Sequence, residues 1–347
     1  MRRQLFAALM VAFFVINSCS NDFDLVAPWQ DIPVVYAVLS PNDDVHYVRV
    51  ERAFADPKIS ALEIAKNPDS IYYREDQIAV YLETEGKRYP MQRIDAASEG
   101  IVRDEGIFPS VPNILYKLNN NAIPGGLKAG KVVRVVVERA DGKPPITAQT
   151  IAPDRLDLRS PNPNPAFPPP MVNFAERNAT TFDWRTDSNG VFFTVRMIVR
   201  YREQIPGVGV QNREPVIWTA FSNVTRDPNN LVGDPNNFRG LTTVSGKSFF
   251  EFLLNKLGPR NDTIRYFNTC SFVIEGGGKE IQALKASIAA VSGLTGAEIT
   301  PLYSNVSGGY GIVTAKSFAV YDGFFVGGMT VDSMNNSDIY KRLNFRK

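Results

Sequence analysis

Val191–Arg202, VFFTVRMIVRYR, sets an apolar residue at every second position along its length. That period fits an extended strand and not a helix, whose matching positions recur every three or four residues. Val191, Phe193, Val195, Met197, Val199 and Tyr201 then share one face, and Phe192, Thr194, Arg196, Ile198, Arg200 and Arg202 the other. A core face backed by a basic face is what an antiparallel sheet with one solvated side requires, so this stretch predicts the longest strand of the chain. Arg196, Arg200 and Arg202 form a candidate surface for an acidic sugar or a carboxylate. Pairing with acids on neighbouring strands is the competing account of the same three residues.

The signal recurs on either side of a break. Ile32–Leu39 is a β-branched run closed by turn chemistry at Ser40-Pro41-Asn42-Asp43-Asp44. VHYVRVERAF then alternates, with Val45, Tyr47 and Arg49 opposite His46, Val48 and Val50. An excursion over Asp56–Arg74 holds a short helix at Ser60–Lys66 and a break at Asn67-Pro68. Strands follow at Gln77–Thr84, Asn113–Leu118, Gly130–Glu138 and Ile146–Ile151, with hairpin signals at Glu85-Gly86-Lys87 and Asp141-Gly142. About seven short strands in this span predict an immunoglobulin-like β-sandwich over residues 32–155. The Cys–Trp–Cys hallmark of antibody domains is missing, so the expectation is one of architecture.

Pro153–Pro170 includes SPNPNPAFPPP, which lacks ladder N–H groups and predicts an extended linker over 156–175. Residues 176–347 then form a second antiparallel, β-rich domain with two or three short helices. Asp227-Pro228-Asn229-Asn230 and its repeat at Asp234-Pro235-Asn236-Asn237 suit successive Asx turns; a calcium site would lack its bidentate glutamate. Gly246-Lys247-Ser248 imitates a phosphate loop, but Gly240 stands one residue too early for that motif. Ser248 and Glu251 read instead as a capping box for a helix at Phe249–Leu257, ended by Gly258. Thr263–Glu275 reads as a buried strand and Gly276-Gly277-Gly278 as a turn. Lys279–Ser292 reads as a helix with Ile281, Leu284, Ile288 and Val291 on one face.

Composition excludes several chemistries. Lys and Arg number 38 against 36 Asp and Glu; loss of residues 1–18 removes Arg2 and Arg3 and leaves 36 against 36. A neutral chain has no electrostatic footprint for nucleic acid or anionic lipid. His46 is the only histidine, so triads and His-rich zinc sites have no material unless His46 itself serves, and its alternation predicts a half-exposed strand residue. Cys270 lies in the apolar run Tyr266–Ile274 and reads as a buried, inert thiol. Neither a cofactor nor a metal is expected.

The N-terminus is basic, Met1-Arg2-Arg3-Gln4, and runs into the unbroken apolar stretch Leu5–Ile16. This is a signal-peptide core, too short to cross about 30 Å of hydrocarbon. Ile16-Asn17-Ser18-Cys19 resembles the lipobox of bacterial lipoproteins, with Asn17 where that motif prefers a small residue. The resemblance implies a signal peptide over 1–18, acylation of Cys19 on sulfur and amine, and a lipidated tether over 19–31. Two or three acyl chains anchor stably, at roughly 0.8 kcal/mol per buried CH₂. An ordinary secreted protein, cut nearby, is the alternative. Asp22 and Asp24 resemble the surface-export signal of Bacteroidota lipoproteins, a solvated tether being the other reading.

Ser304-Asn305-Val306-Ser307-Gly308-Gly309-Tyr310-Gly311-Ile312 is the most distinctive stretch, glycine-rich and continuous with a strand. With Asp141-Gly142-Lys143 and the two-module layout, it resembles a family of Bacteroidota outer-membrane lipoproteins of unknown function. Genes of that family often neighbour TonB-dependent transporters. The resemblance implies an accessory, non-enzymatic subunit of an outer-membrane β-barrel, facing the cell exterior, with Asn305 and Tyr310 as candidate partner contacts. A structural subunit of a larger machine for secretion, barrel assembly or gliding is the alternative. An enzyme built on paired carboxylates is a third, although no acid sits in a motif that singles it out. Asp69-Ser70-Ile71, Asp262-Thr263-Ile264 and Asp332-Ser333-Met334 also match the phylum's O-glycosylation pattern.

Cys19→Ser is expected to abolish processing and to move the protein out of the membrane fraction. Unchanged migration and fractionation on an immunoblot would remove the anchor.

Overall fold

A computed structural model describes residues 32–347 apart from 54–60, 107, 166–168, 228, 230, 233 and 285–302. Cys19, Asp22 and Asp24, with the signal and tether over 1–31, lie outside the described residues. The chain is mainly β. Its first module is built from β1 (Ile32–Leu39), β2 (Val45–Ala53), β3 (Ile78–Thr84), β4 (Lys87–Pro90), β5 (Gln92–Asp95), β6 (Ile114–Asn119), β7 (Val132–Arg139) and β8 (Ile146–Ile151). Strands β1-β2-β6-β5 form one sheet and β8-β7-β3-β4 another, all paired antiparallel. The two sheets bury one core: Val35, Leu39, Val48 and Val50 from the first, Val80, Leu82, Val135 and Val137 from the second. These are the alternate positions of each strand, so period-two patterning alone selects the inner face.

The β3–β4 turn holds Glu85 at φ 49° and Gly86 at φ 74°, the left-handed pair a two-residue hairpin demands. His46 corrects the expectation of a half-exposed residue. It is 2 % exposed, and its Nε2 lies 2.9 Å from Asn120 Oδ1. Asn120 Oδ1 already accepts the Leu127 N–H at 2.7 Å, so His46 must donate from Nε2. Its inward register with Val48 and Val50 is the reason for its burial.

The second module repeats this strand order. Its strands are β9 (Leu156–Ser160), β10 (Met171–Val172), β11 (Ala179–Thr186), β12 (Phe192–Ile205), β13 (Gly209–Asn212), β14 (Val216–Thr225), β15 (Leu231–Val232), β16 (Asp234–Ser245) and β17 (Ile264–Gly277), followed by β18 (Val306–Ser307), β19 (Tyr310–Val326) and β20 (Phe345–Arg346). Strands β9-β11-β16-β15 face β19-β17-β12-β14. With the short strands β10, β13, β18 and β20 set aside, the order 1-2-6-5 facing 8-7-3-4 recurs, with the same antiparallel pairings. Trp184 is fully buried between Phe193 and Phe221, at centroid distances of 5.0 and 5.5 Å. Gly240 is its cross-strand partner, and a Cβ there would stand 2.0 Å from the indole. Glycine at 240 therefore makes room for a tryptophan.

Several expectations are corrected here. The proline-rich linker over 156–175 begins as strand β9, because Leu156 and Leu158 alternate into the core before the prolines start; Val172 and Phe174 are buried at its other end. Tyr321 ties β9 to the opposite sheet, its hydroxyl donating to Leu156 O at 2.6 Å and accepting the Leu158 N–H at 3.0 Å. Gly276 and Gly277 are not a turn but the end of β17, where a Cβ on Gly276 would meet Leu156 at 2.7 Å. Helix α1 (Gly246–Leu257) starts three residues earlier than expected: Ser245, not Ser248, caps it, its Oγ accepting the Lys247 N–H at 3.2 Å. Residues 279–284 are helical, and 285–292 lie outside the described residues. A further helix, α2 (Gly328–Asn335), and α1 both pack against the 3₁₀ turn Tyr340–Leu343 at the end of the core.

The longest strand is β19, of 17 residues, not the 14-residue β12. It belongs to both modules. Tyr310–Ala315 runs parallel to β1, in register from Val34↔Tyr310 to Leu39↔Ala315, and Lys316–Phe325 runs antiparallel to β17. Just before it, β18 pairs with β8 through Val306↔Ala148. Residues 303–315 thus close the open side of the first module along both sheets, an association the linear division into 32–155 and 176–347 does not contain. The crossing is tight. Gly311 has φ 119°, and a Cβ there would lie 2.0 Å from Val35 O.

Gly311→Ala is expected to cost about 2–4 kcal/mol, through strain and lost β1–β19 pairing. Gly86→Ala, left-handed but with open space around it, should cost only about 1–2 kcal/mol. Urea denaturation of the two variants measures the difference.

Candidate functional site

The three arginines of β12 project from the outer face of the sheet β14-β12-β17-β19. Arg196 Nη2 donates to Glu275 Oε2 at 3.0 Å, and Lys316 Nζ lies 3.6 Å from the same oxygen. Arg200 Nη1 donates to Ser271 Oγ at 2.7 Å and its Nη2 lies 4.0 Å from Asp322 Oδ1. Arg202 differs. Its Nη1 donates to the neutral Asn268 Oδ1 at 3.3 Å, its guanidinium lies 5.3 Å from the Tyr266 ring centre, and no carboxylate among the described residues pairs with it. Neighbouring acids account for Arg196 and Arg200 and leave Arg202 with a free charge.

Asn305 and Tyr310 sit at the other end of β19, so the two predicted groups are not brought together. Asn305 is fully committed to the backbone: Nδ2 donates to Val313 O at 2.7 Å and Gln149 O at 3.2 Å, while Oδ1 accepts the Val313 N–H at 3.0 Å. It acts as a short piece of strand between β8 and β19. Tyr310 is 54 % exposed and opposite Val34.

A groove opens at the end of the sheet remote from β1. There β17 parts from β19 after Thr269↔Phe325 and takes β20 as a parallel neighbour, while β10 lies along β19 through Met171↔Phe325. The groove, of about 430 Å³, has Phe267, Phe325, Met171 and Val331 for its apolar surface and Arg202, Arg346 and Lys347 for its charges. Among the described residues no acidic side chain lines it. Phe325 and Met171 are 43 % and 42 % exposed and stand next to each other across β10 and β19. Lys347 Nζ is paired with Asp332 Oδ2 at 2.7 Å, whereas Arg346 Nη1 meets only the amide of Asn335 at 3.4 Å.

What holds this end in place is Arg265, 1 % exposed. Its Nε donates to Glu203 Oε1 at 3.0 Å, Nη1 to Gly258 O at 2.8 Å and Leu343 O at 3.2 Å, and Nη2 to Leu257 O at 2.9 Å. One guanidinium thereby caps the C-terminus of α1 and fastens the segment that carries Arg346. Arg213 Nε donates to the other oxygen of Glu203 at 2.7 Å. Burial works to raise the Glu203 carboxyl, but the two guanidiniums outweigh it and the group titrates below its ordinary value. Sequence reasoning missed this pair. The signal is there: Glu203 continues the inward series Val199, Tyr201, and its cross-strand partner is Arg265, so opposite charges share a core-facing register.

Other candidates resolve into packing. Burial pushes the Cys270 thiol up to about 12, and the side chain is fully enclosed. Asp227 Oδ1 accepts the Asn229 N–H at 2.8 Å in an Asx turn, and Asp234–Asn237 run within β16. Among the described residues no three His, Cys, Asp or Glu side chains gather as metal ligands would. Of the glycosylation-like sites, Thr263 is buried and Ser333 Oγ accepts the Glu176 N–H at 2.9 Å, while Ser70 lies in the single helical turn Pro68–Ile71. No helix among the described residues is long and apolar enough to cross a membrane.

No protein-family model and no curated protein matches the sequence. Among solved structures, the chain is similar to the C-terminal globular domain of an oligosaccharyltransferase from Pyrococcus abyssi, at 9 % identity and a TM-score of 0.21, over 68 % of this chain and 45 % of that one. It is also similar to a trypsin-activated alpha-2-macroglobulin from Escherichia coli, at 10 % identity and a TM-score of 0.17, over 72 % of this chain and 14 % of that one. The chain thus spans less than half the length of either, and similarity at this level carries no functional argument.

Glu203→Gln leaves Arg265 buried without its counter-charge and is expected to cost about 3 kcal/mol at neutral pH. Because the folded carboxyl titrates low, the native pair contributes fully above the unfolded value of 4.5 and is lost as pH falls through the folded value. The variant should therefore show a shallower loss of stability below that pH. Urea melts across the acid range read both effects.

Proposed function

We propose that the chain is a non-enzymatic lipoprotein of the outer membrane, acylated at Cys19 and facing the cell exterior, that holds a partner beside a β-barrel of the TonB-dependent transporter type. The observation that carries this reading is the position of the groove relative to the tether. β1 begins at Ile32, the first residue after the tether, and runs parallel to the start of β19, whose far end forms the groove. Fifteen residues of strand separate Tyr310 from Phe325, roughly 50 Å at about 3.3 Å per residue. A partner held there stands clear of the lipid surface while the molecule stays anchored through its N-terminal lipid. Neither nucleic acid nor a cofactor enters this reading.

Both modules are read as immunoglobulin-like. The order β1-β2-β6-β5 facing β8-β7-β3-β4 maps onto strands A, B, E, D in one sheet and G, F, C, C′ in the other, and the second module repeats it. Tandem sandwiches of this kind are rigid spacers that carry binding loops and edges at their ends, which suits a protein that positions a partner.

Capture of the native lipoprotein from mildly solubilised membranes, followed by mass spectrometry, tests the reading. One barrel recovered near equal stoichiometry is the expected result. Several envelope proteins recovered together, with no barrel in excess, would replace it with a structural subunit of a larger machine.

A further inference from the structure

We infer that the groove formed by β10, β17, β19 and β20 takes an extended acidic segment of a partner protein. This rests on the accessory-subunit reading above and names the chemistry of what is held. The charged side chains that line the groove, Arg202, Arg346 and Lys347, are all basic. Lys347 already has Asp332, but Arg202 meets only the Asn268 amide and the Tyr266 ring, and Arg346 only the Asn335 amide, so neither guanidinium has a carboxylate partner among the described residues. Beside them Met171, Phe267 and Phe325 offer an apolar surface broad enough to seat one or two side chains. Phe267 is stacked on Phe345 at 4.1 Å, which fixes that surface in place.

An amphiphilic lipid would need the same two features but a different shape. Small ligands are enclosed over most of their surface, whereas this groove is an open trough at the end of a sheet. A peptide needs only one face covered. Acidic and apolar residues spaced two apart fall on the same face of an extended segment, matching the juxtaposition of Arg202 and Arg346 with Phe325. Steering by the unpaired arginines would make association fast and sensitive to salt.

Purified full-length protein is titrated, by fluorescence anisotropy, with a labelled decapeptide whose odd positions alternate glutamate and phenylalanine and whose even positions are serine. Parallel titrations use the same peptide with lysine for glutamate and with serine for phenylalanine. The acidic apolar peptide is expected to bind at least about tenfold more tightly than either control, and more weakly as salt rises. R202E and R346E should each lower its affinity about tenfold, and F325A by a similar factor, with melting temperatures unchanged at these exposed positions. Equal binding of the lysine peptide, or native affinity in an R202E/R346E double variant, overturns the proposal. So does sodium laurate that displaces the peptide and itself loses binding in R202E, which would make the groove a lipid site. The measurement does not depend on anchoring, so failure here is separate from failure of the Cys19→Ser fractionation or of barrel capture.

Discussion

The parallel ladder between β1 and β19 is the constraint on which the rest of the molecule depends. Six residue pairs join Val34–Leu39 to Tyr310–Ala315, and Asn42 extends the seam by accepting the Phe318 N–H at 2.9 Å across 276 residues of sequence. Through it one sheet of each module joins into a single continuous sheet. A contact of this separation pays its loop-closure entropy late, and the first module cannot complete its edges until the last quarter of the chain arrives. Tight passage of backbone over backbone at Gly309 and Gly311 makes the seam possible, since any side chain there would strike Pro33 or Val35.

At the opposite end, a different economy of atoms holds the groove. Arg265 satisfies carbonyls from α1, from the turn after it and from the C-terminal segment, and its charge is met by Glu203. A buried ion pair adds little stability by itself, but here all three guanidinium nitrogens find acceptors, drawn from β12, the end of α1 and the C-terminal segment. The pair thus fixes geometry: it sets where β20 lies, and with it where Arg346 stands relative to Arg202.

Much of the strand content was legible in the residues because period-two alternation survives burial on one face. β2, β3 and β12 lie close to where their patterns put them, and the inward faces match. What was not legible depended on partners far away in sequence. Proline after Leu158 looks like a linker until β11 pairs with Leu156–Ser160 and Tyr321, from another strand, ties it to the opposite sheet. Three glycines look like a turn until Leu156 is seen against Gly276. Asn305 looks like a surface amide until Val313 closes on it. Repetition of one topology in both modules was hidden for the same reason, since strand order is a property of pairing and the two halves share little beyond their alternation. Of the candidate site, Arg202 was visible as part of a basic face, but Phe325 and Arg346 come together with it only through β19 and β20.

The direction of β1 beside β19 has a mechanical consequence. A pull applied between the start of β1 and the far end of β19 runs along the strand axes, so the ladder between them is loaded in shear. All of its hydrogen bonds must then yield together, whereas tension across the strands would unzip them one at a time. The molecule therefore resists extension along the seam far better than it resists peeling across it.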